Sequence, residues 1–270
     1  MPLLGIAVDQ LEPGDLRIER TTIPFPELTL RRTRANLGIR AAGDMLGKST
    51  VVALVGDDTD ARWSGAAFDR GSVASSRSRV DLLTRGPATL YTIAVGSDAL
   101  PREFVSFDPQ RANRLRRFLE GLAGAAERDG CETATRRSAG RTIVNFLSLL
   151  GDGESGRRLP EPRRVAAVRR CEEYVFDHID ENPTLAQLAN VSGLGMRSLI
   201  NAFRAVTGYS PMAFLKAQRL NAVHRALNVA DPAETRVIDV ATNWGFWHMG
   251  HFTTDYRAMF GETPSQTLRR

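Results

Sequence analysis

Lysine is almost missing from this chain: Lys48 and Lys216 are the only two in 270 residues, and the rest of the positive charge is arginine. Cysteine is as scarce. Cys131 and Cys171 stand forty residues apart in segments that read as helical, which gives neither a disulfide framework nor a zinc-ligand spacing, so both are expected reduced and partly buried. Histidine is confined to the residues beyond 164, at His178, His224, His248 and His251. Residues 1–150 therefore cannot build a His-rich metal site, and no nucleophile there has a histidine beside it to act as base. Glu103 and Asp108 read as solvated loop charges rather than a catalytic pair. These absences argue against an enzyme, a metal site or a cofactor. No run of eighteen apolar residues occurs, which excludes a membrane-spanning helix, and MPLLGIAVDQLEPGD lacks the basic start and long apolar stretch of a signal peptide. A cytoplasmic protein with no membrane partner is the expectation.

What is present fits a globular chain long enough for two cores, with 42% apolar and 25% charged residues. The net charge is +5, and most of it falls late, with nine basic against five acidic residues from Leu185 to Arg270. Such a balance favours polyanion partners.

The first hundred residues read as strands: DLRIERTTI, ELTLRRTR, TVVALVG, RVDLLT and ATLYTIAVG are short β-branched or alternating runs between turn clusters, the pattern of a small sandwich or barrel. MLGKST ends like a phosphate-binding loop but has Ala42 where that loop needs its first glycine, so nucleotide binding is rejected. From Pro109 the period becomes helical, through Leu115, Phe118, Leu119 and Leu122, then Ile143, Val144, Phe146, Leu147 and Leu150 after a break near Gly130. Two such helices can form a dimerisation element or cover one face of the β domain. GDGESGRRLPEPRR, 151–164, is the linker, and everything beyond it reads as helix. The fold class is α+β, with domains at 1–107 (β-rich), 108–150 (the helical segment), 151–164 (linker) and 165–270 (all-helical).

The last third contains a repeat. FRAVTGYSP (203–211) and YRAMFGETP (256–264) match at an offset of 53, and LANVSGL (188–194) and VATNWGF (240–246) match at 52. Each copy predicts a short capped helix, a stop at Gly193 or Gly245, and a second helix, at about 195–207 and 248–260. Leu199, Ala202, Phe203 and Val206 form one buried stripe; Phe252, Tyr256, Met259 and Phe260 form the other. The opposite faces carry Arg197, Ile200, Asn201 and Arg204, then Gly250, Thr253, Thr254 and Arg257, with no acid. That plan is a helix-turn-helix, whose second helix enters a major groove. A helix from about Pro211 to Val229 joins the copies and could hold the two recognition helices about 34 Å apart, one turn of duplex. Thr184 with Gln187 and Thr263 with Gln266 fit capping boxes, and Ser210 and Thr263 precede prolines at helix starts.

On these residues, and on VIDVATNWGFWHMGHFTTDYRAMFGETPSQTLR in particular, 165–270 resembles the DNA-binding domain of the AraC/XylS family of transcription regulators. The resemblance implies two helix-turn-helices joined by a helix, with base contacts from the eight outer-face residues just named. It also implies contacts to the DNA backbone near helix starts, at Ser198, Ser210 and Thr263. His248 and His251 are read as backbone or base-edge contacts rather than metal ligands, since no third ligand stands at a familiar spacing. The departure lies at Trp247–Gly250, where the family commonly has Ser or Gln. Trp244 and Trp247 are read as packing residues. For the N-terminal half the resemblance implies a cupin-like β sensor whose pocket includes Phe68, Leu90 and Tyr91. The function it implies is a dimeric, effector-responsive regulator acting on double-stranded operator DNA, with RNA polymerase as a further partner. Two alternatives stand beside it: a cupin-like β-barrel enzyme fused to a binding module, and a protein-interaction adaptor.

Overall fold

The computed structural model describes residues 6–270 apart from 45–48, 58, 78, 97–104, 107, 129–132, 152–162, 179–180 and 182. The chain divides into two compact units, residues 1–8 with 17–160, and residues 9–16 with 161–270. Cys131, Glu103, the Met45–Lys48 part of MLGKST and most of the 151–164 segment lie outside the described residues.

The strands are β1 (Ala7–Gln10), β2 (Ile18–Pro24), β3 (Leu28–Ala35), β4 (Ile39–Asp44), β5 (Ser49–Val55), β6 (Asp60–Trp63), β7 (Ala66–Phe68), β8 (Val73–Ser76), β9 (Arg79–Arg85), β10 (Ala88–Gly96) and β11 (Val105–Ser106). They form two sheets, in the orders β1-β4-β9-β6-β7 and β11-β8-β5-β10-β3-β2. All five runs that read as strands are strands. Two helices follow, α1 (Pro109–Arg128) and α2 (Thr133–Gly151).

Strand β10 shows why the six-stranded sheet takes its helical cover. Its odd positions Tyr91, Ile93 and Val95 point one way, and in register Ile93 stands opposite both Leu30 and Val52. Leu115, Leu119 and Ala123 of α1 and Ile143 and Leu147 of α2 close over this row in one buried cluster. These helices thus cover one face of the β domain. Each leucine so buried stabilises by about 1.5–3 kcal/mol. Phe68, Leu90 and Tyr91 are all buried: Tyr91 belongs to the helix-covered cluster, whereas Phe68 packs on Trp63, ring centroids 5.7 Å apart.

The C-terminal unit is helical: α3 (Arg163–Asp177), α4 (Leu185–Ser192), α5 (Met196–Thr207), α6 (Pro211–Val229), α7 (Val237–Asn243), α8 (Met249–Phe260) and α9 (Pro264–Leu268). Helix α3 packs against α4 and α5, while α6 contacts α5 on one side and α7, α8 and α9 on the other. Cys171 is buried against α4, its thiol directed at the Leu188 carbonyl (3.4 Å), and burial pushes its pKa up to about 11. It is inert as a nucleophile at neutral pH.

Residues 9–16 belong to this unit too. The Gln10 backbone N–H donates to Asn221 Oδ1 and Asn221 Nδ2 donates back to the Gln10 carbonyl, each at 2.8 Å and buried. Gln10 Nε2 (2.7 Å) and the Gly14 N–H (3.0 Å) both donate to the Met259 carbonyl in the last turn of α8. Asp9 pairs with Arg225 of α6. Nothing in the local sequence signals this extended segment, because its partners lie more than two hundred positions away.

Candidate nucleic-acid interface

Helices α4 and α5 meet at a tight turn. Thr184 caps α4 through a full capping box with Gln187, and Gly193 ends it in the left-handed conformation at φ 70°, its N–H donating to the Ala189 and Asn190 carbonyls. Gly245 at φ 74° makes the same turn between α7 and α8. A residue with a Cβ is strained there, so the glycine is what allows the second helix to leave at a steep angle.

The buried stripes are as expected. Leu199, Ala202, Phe203 and Val206 are buried in the first unit, with Phe203 edge-on to Phe214 of α6 at 6.0 Å. Phe252, Tyr256 and Met259 are buried in the second, around Leu220, Val223 and Leu227 of α6, and Phe260 is half-buried against them. Helix α6 thus gives Phe214 to the first core and Leu220, Val223 and Leu227 to the second. Nineteen residues at about 1.5 Å each make it about 28 Å long.

Opposite these stripes, Arg197, Asn201, Arg204, Gly250, Thr253, Thr254 and Arg257 are all exposed, and Ile200 is half-buried. Ser198, His248 and His251 are exposed near the starts of α5 and α8. Ser210 and Thr263 are N-caps: Ser210 Oγ accepts the Ala213 N–H (3.4 Å), and Thr263 forms a capping box with Gln266, each followed by proline. The outer faces are free of acid because Asp255 turns inward to Lys216 Nζ at 2.8 Å. His248 and His251 stand edge to face, 6.4 Å between centroids, and among the described residues no group of three or more His, Cys, Asp or Glu comes together to hold a metal ion.

Two features were not read from the sequence. Trp244 packs against the second core as expected, but Trp247 does not: it is 59% exposed beside the start of α8, because its ring follows the turn rather than the helix stripe. The second feature is a polar network behind the stripe. Tyr256 Oη donates to Thr267 Oγ1 (2.9 Å), Thr267 Oγ1 reaches Glu262 Oε1 (2.7 Å), and Glu262 also holds Arg270 (2.8 Å) and His224 (3.5 Å). His224 stacks on Phe260 at 4.3 Å. Burial lowers the His224 pKa below the usual histidine value, and the Glu262 carboxylate offsets this only in part. Burial likewise pushes the Tyr256 phenol upward, so it stays a hydrogen-bond donor.

Comparison with known proteins agrees with this geometry. A helix-turn-helix domain family model matches residues 188–270. The probable thc operon regulatory protein of Rhodococcus erythropolis is 37% identical over 110 residues, 41% of this chain and 33% of that protein. The XylDLEGF operon transcriptional activator of Pseudomonas putida is 31% identical over 132 residues, 49% of this chain and 40% of that protein. The chain thus spans between a third and two-fifths of the length of these curated relatives. The crystal structure of the AraC-like transcriptional activator CuxR aligns with 80% of this chain and 85% of its own at 11% identity, with a TM-score of 0.42. Residues 188–270 thus match a helix-turn-helix domain, and the regulators named above are what the chain is similar to.

Proposed function

We propose that the chain is a sequence-specific DNA-binding transcription regulator that inserts α5 and α8 into successive major grooves of one duplex. The observation that carries this is the exposure of Arg197, Asn201, Arg204, Gly250, Thr254 and Arg257 opposite two buried stripes. Arginine can fork onto guanine and asparagine onto adenine, while threonine meets the thymine methyl. Ser198, Ser210, His248, His251 and Thr263 are the backbone contacts in this reading. Residues 1–107 act as sensor, 108–150 as dimerisation segment, 151–164 as linker and 165–270 as the DNA-binding arm. The working assembly is a cytoplasmic homodimer without enzymatic activity. A small-molecule effector alters the geometry of the sensor dimer and so the spacing at which two arms engage; linked arms gain affinity only when both can bind. RNA polymerase is the further partner at a promoter.

The test is the salt dependence of duplex binding by the full chain. DNA binding through arginine-rich faces loses affinity steeply as salt rises, in proportion to the phosphates neutralised. Failure to bind any duplex, or binding indifferent to salt, would overturn the reading in favour of a protein-interaction adaptor.

A further inference from the structure

At two of three corresponding outer positions the two units offer different groups. The exposed Arg197, Asn201 and Arg204 of α5 are matched in α8, at an offset of 53, by Gly250, Thr254 and Arg257. Thr254 Oγ1 donates to the Gly250 carbonyl at 3.0 Å, which commits the hydroxyl hydrogen to the helix's own backbone and leaves the γ-methyl as the part of the side chain free for contact. Trp247, 59% exposed, immediately precedes His248, the N-cap of the same helix. An isolated exposed apolar residue is ordinary on a protein surface. This one adjoins an exposed recognition face.

Gly250 adds an independent observation. It is exposed at the second position of α8, its φ is not left-handed, and a Cβ placed there would meet nothing within 4 Å. Neither the backbone conformation nor the packing of this chain calls for glycine, which costs a helix up to about 1 kcal/mol relative to alanine. A glycine that the free protein does not need is accounted for when a partner approaches the helix backbone there.

We propose that the second unit reads thymine methyl groups by apolar contact, with the Trp247 ring and the Thr254 methyl as the reading surface and Gly250 as the gap that admits the base edge. The thymine C5-methyl is the one apolar group that the major groove presents. Arg257 supplies the charge that keeps this surface against the duplex, and Asp255, held by Lys216, does not oppose it. The inference rests on the DNA-binding reading above.

The experiment uses the full chain and duplexes that it selects from a random pool, compared with the same duplexes synthesised with deoxyuridine for thymidine in one half-site at a time. Uracil in the half-site of the second unit should weaken binding about three- to five-fold per methyl lost. Trp247→Ala should bind thymine and uracil duplexes alike with an unchanged melting temperature, whereas Arg197→Ala should keep the thymine preference while losing overall affinity. Gly250→Ala should raise the melting temperature of the free chain and lower duplex affinity, opposite effects that a merely structural glycine does not produce. Equal binding of both duplexes by the parent chain overturns the proposal, as does a thymine preference that survives Trp247→Ala, or a Gly250→Ala variant that binds as tightly as the parent. Absence of all duplex binding sinks the DNA-binding reading itself and is distinguishable from these.

Discussion

Where the first helix-turn-helix carries Ala202 and Phe203, the second carries Asp255 and Tyr256 at an offset of 53. The two slots face the same way in each unit, yet the second copy has put a carboxylate and a phenol into them. Each polar group is answered locally: Asp255 by Lys216, Tyr256 by Thr267 and through it Glu262. The first copy needs no such answer, since Phe203 rests against Phe214. The pair teaches that the repeat preserves shape through its apolar stripe, while chemistry varies freely so long as buried polar atoms find partners.

The contrast can be broken most severely on its apolar side. Phe203 is fully buried, and Phe203→Ala should cost about 3–5 kcal/mol, lowering the urea midpoint and abolishing duplex binding by the first unit. Next in size is Asn221→Ala, which strips the buried Gln10 N–H and carbonyl of their partner at once and should cost about 2 kcal/mol in denaturant unfolding. Arg197→Ala and Asn201→Ala should each lower discrimination at one or two base positions by about 1–3 kcal/mol with melting temperature unchanged, read by competition among variant duplexes. Unchanged base preference in both would remove those assignments. Tyr256→Phe, which makes the second copy resemble the first, should cost about 1 kcal/mol because Thr267 keeps Glu262 as partner.

The smallest effect sharpens the comparison through pH. The folded pKa of His224 lies below its unfolded value, so the unfolded chain binds more protons and the stability this residue contributes is present above the unfolded pKa. It is lost as pH falls from about 6.5. Charged groups facing His224 are Glu262, Arg225 and Arg270. The melting temperature of the parent should drop between about pH 7 and 5, and His224→Gln should flatten that slope; an equal slope in the variant would assign the effect elsewhere.

Much of this was legible in the sequence. Helix α6 spans the residues expected of it because Ser210–Pro211 marks its start, and α5 and α8 announce themselves by stripes of period 3.6. Strands β2, β3, β5, β9 and β10 are long and β-branched. Strands β6 and β7 were missed, being three or four residues of mixed polarity, although Ser64 (φ 47°) and Gly65 (φ 76°) form the two-residue turn that pairs Trp63 with Ala66. That Ser-Gly pair was the available signal. Strand β8 is buried along its whole length and shows no alternation to read. On α5 and α8, outer and inner residues follow from period alone. The exposure of Trp247 does not, because it sits in a turn where no period applies, and the His224–Glu262 contact joins positions that no local pattern relates.

The short stretch of residues 9–16 has a consequence for the order of assembly. It leaves the ribosome well before its acceptor on Met259, which follows Gln10 by 249 positions. During translation this stretch waits without its hydrogen-bonding partners, so the helical unit completes these contacts only once Met259 has been made. A fragment begun at the linker never receives that stretch at all, and its Asn221 meets solvent or nothing where the whole chain offers Gln10.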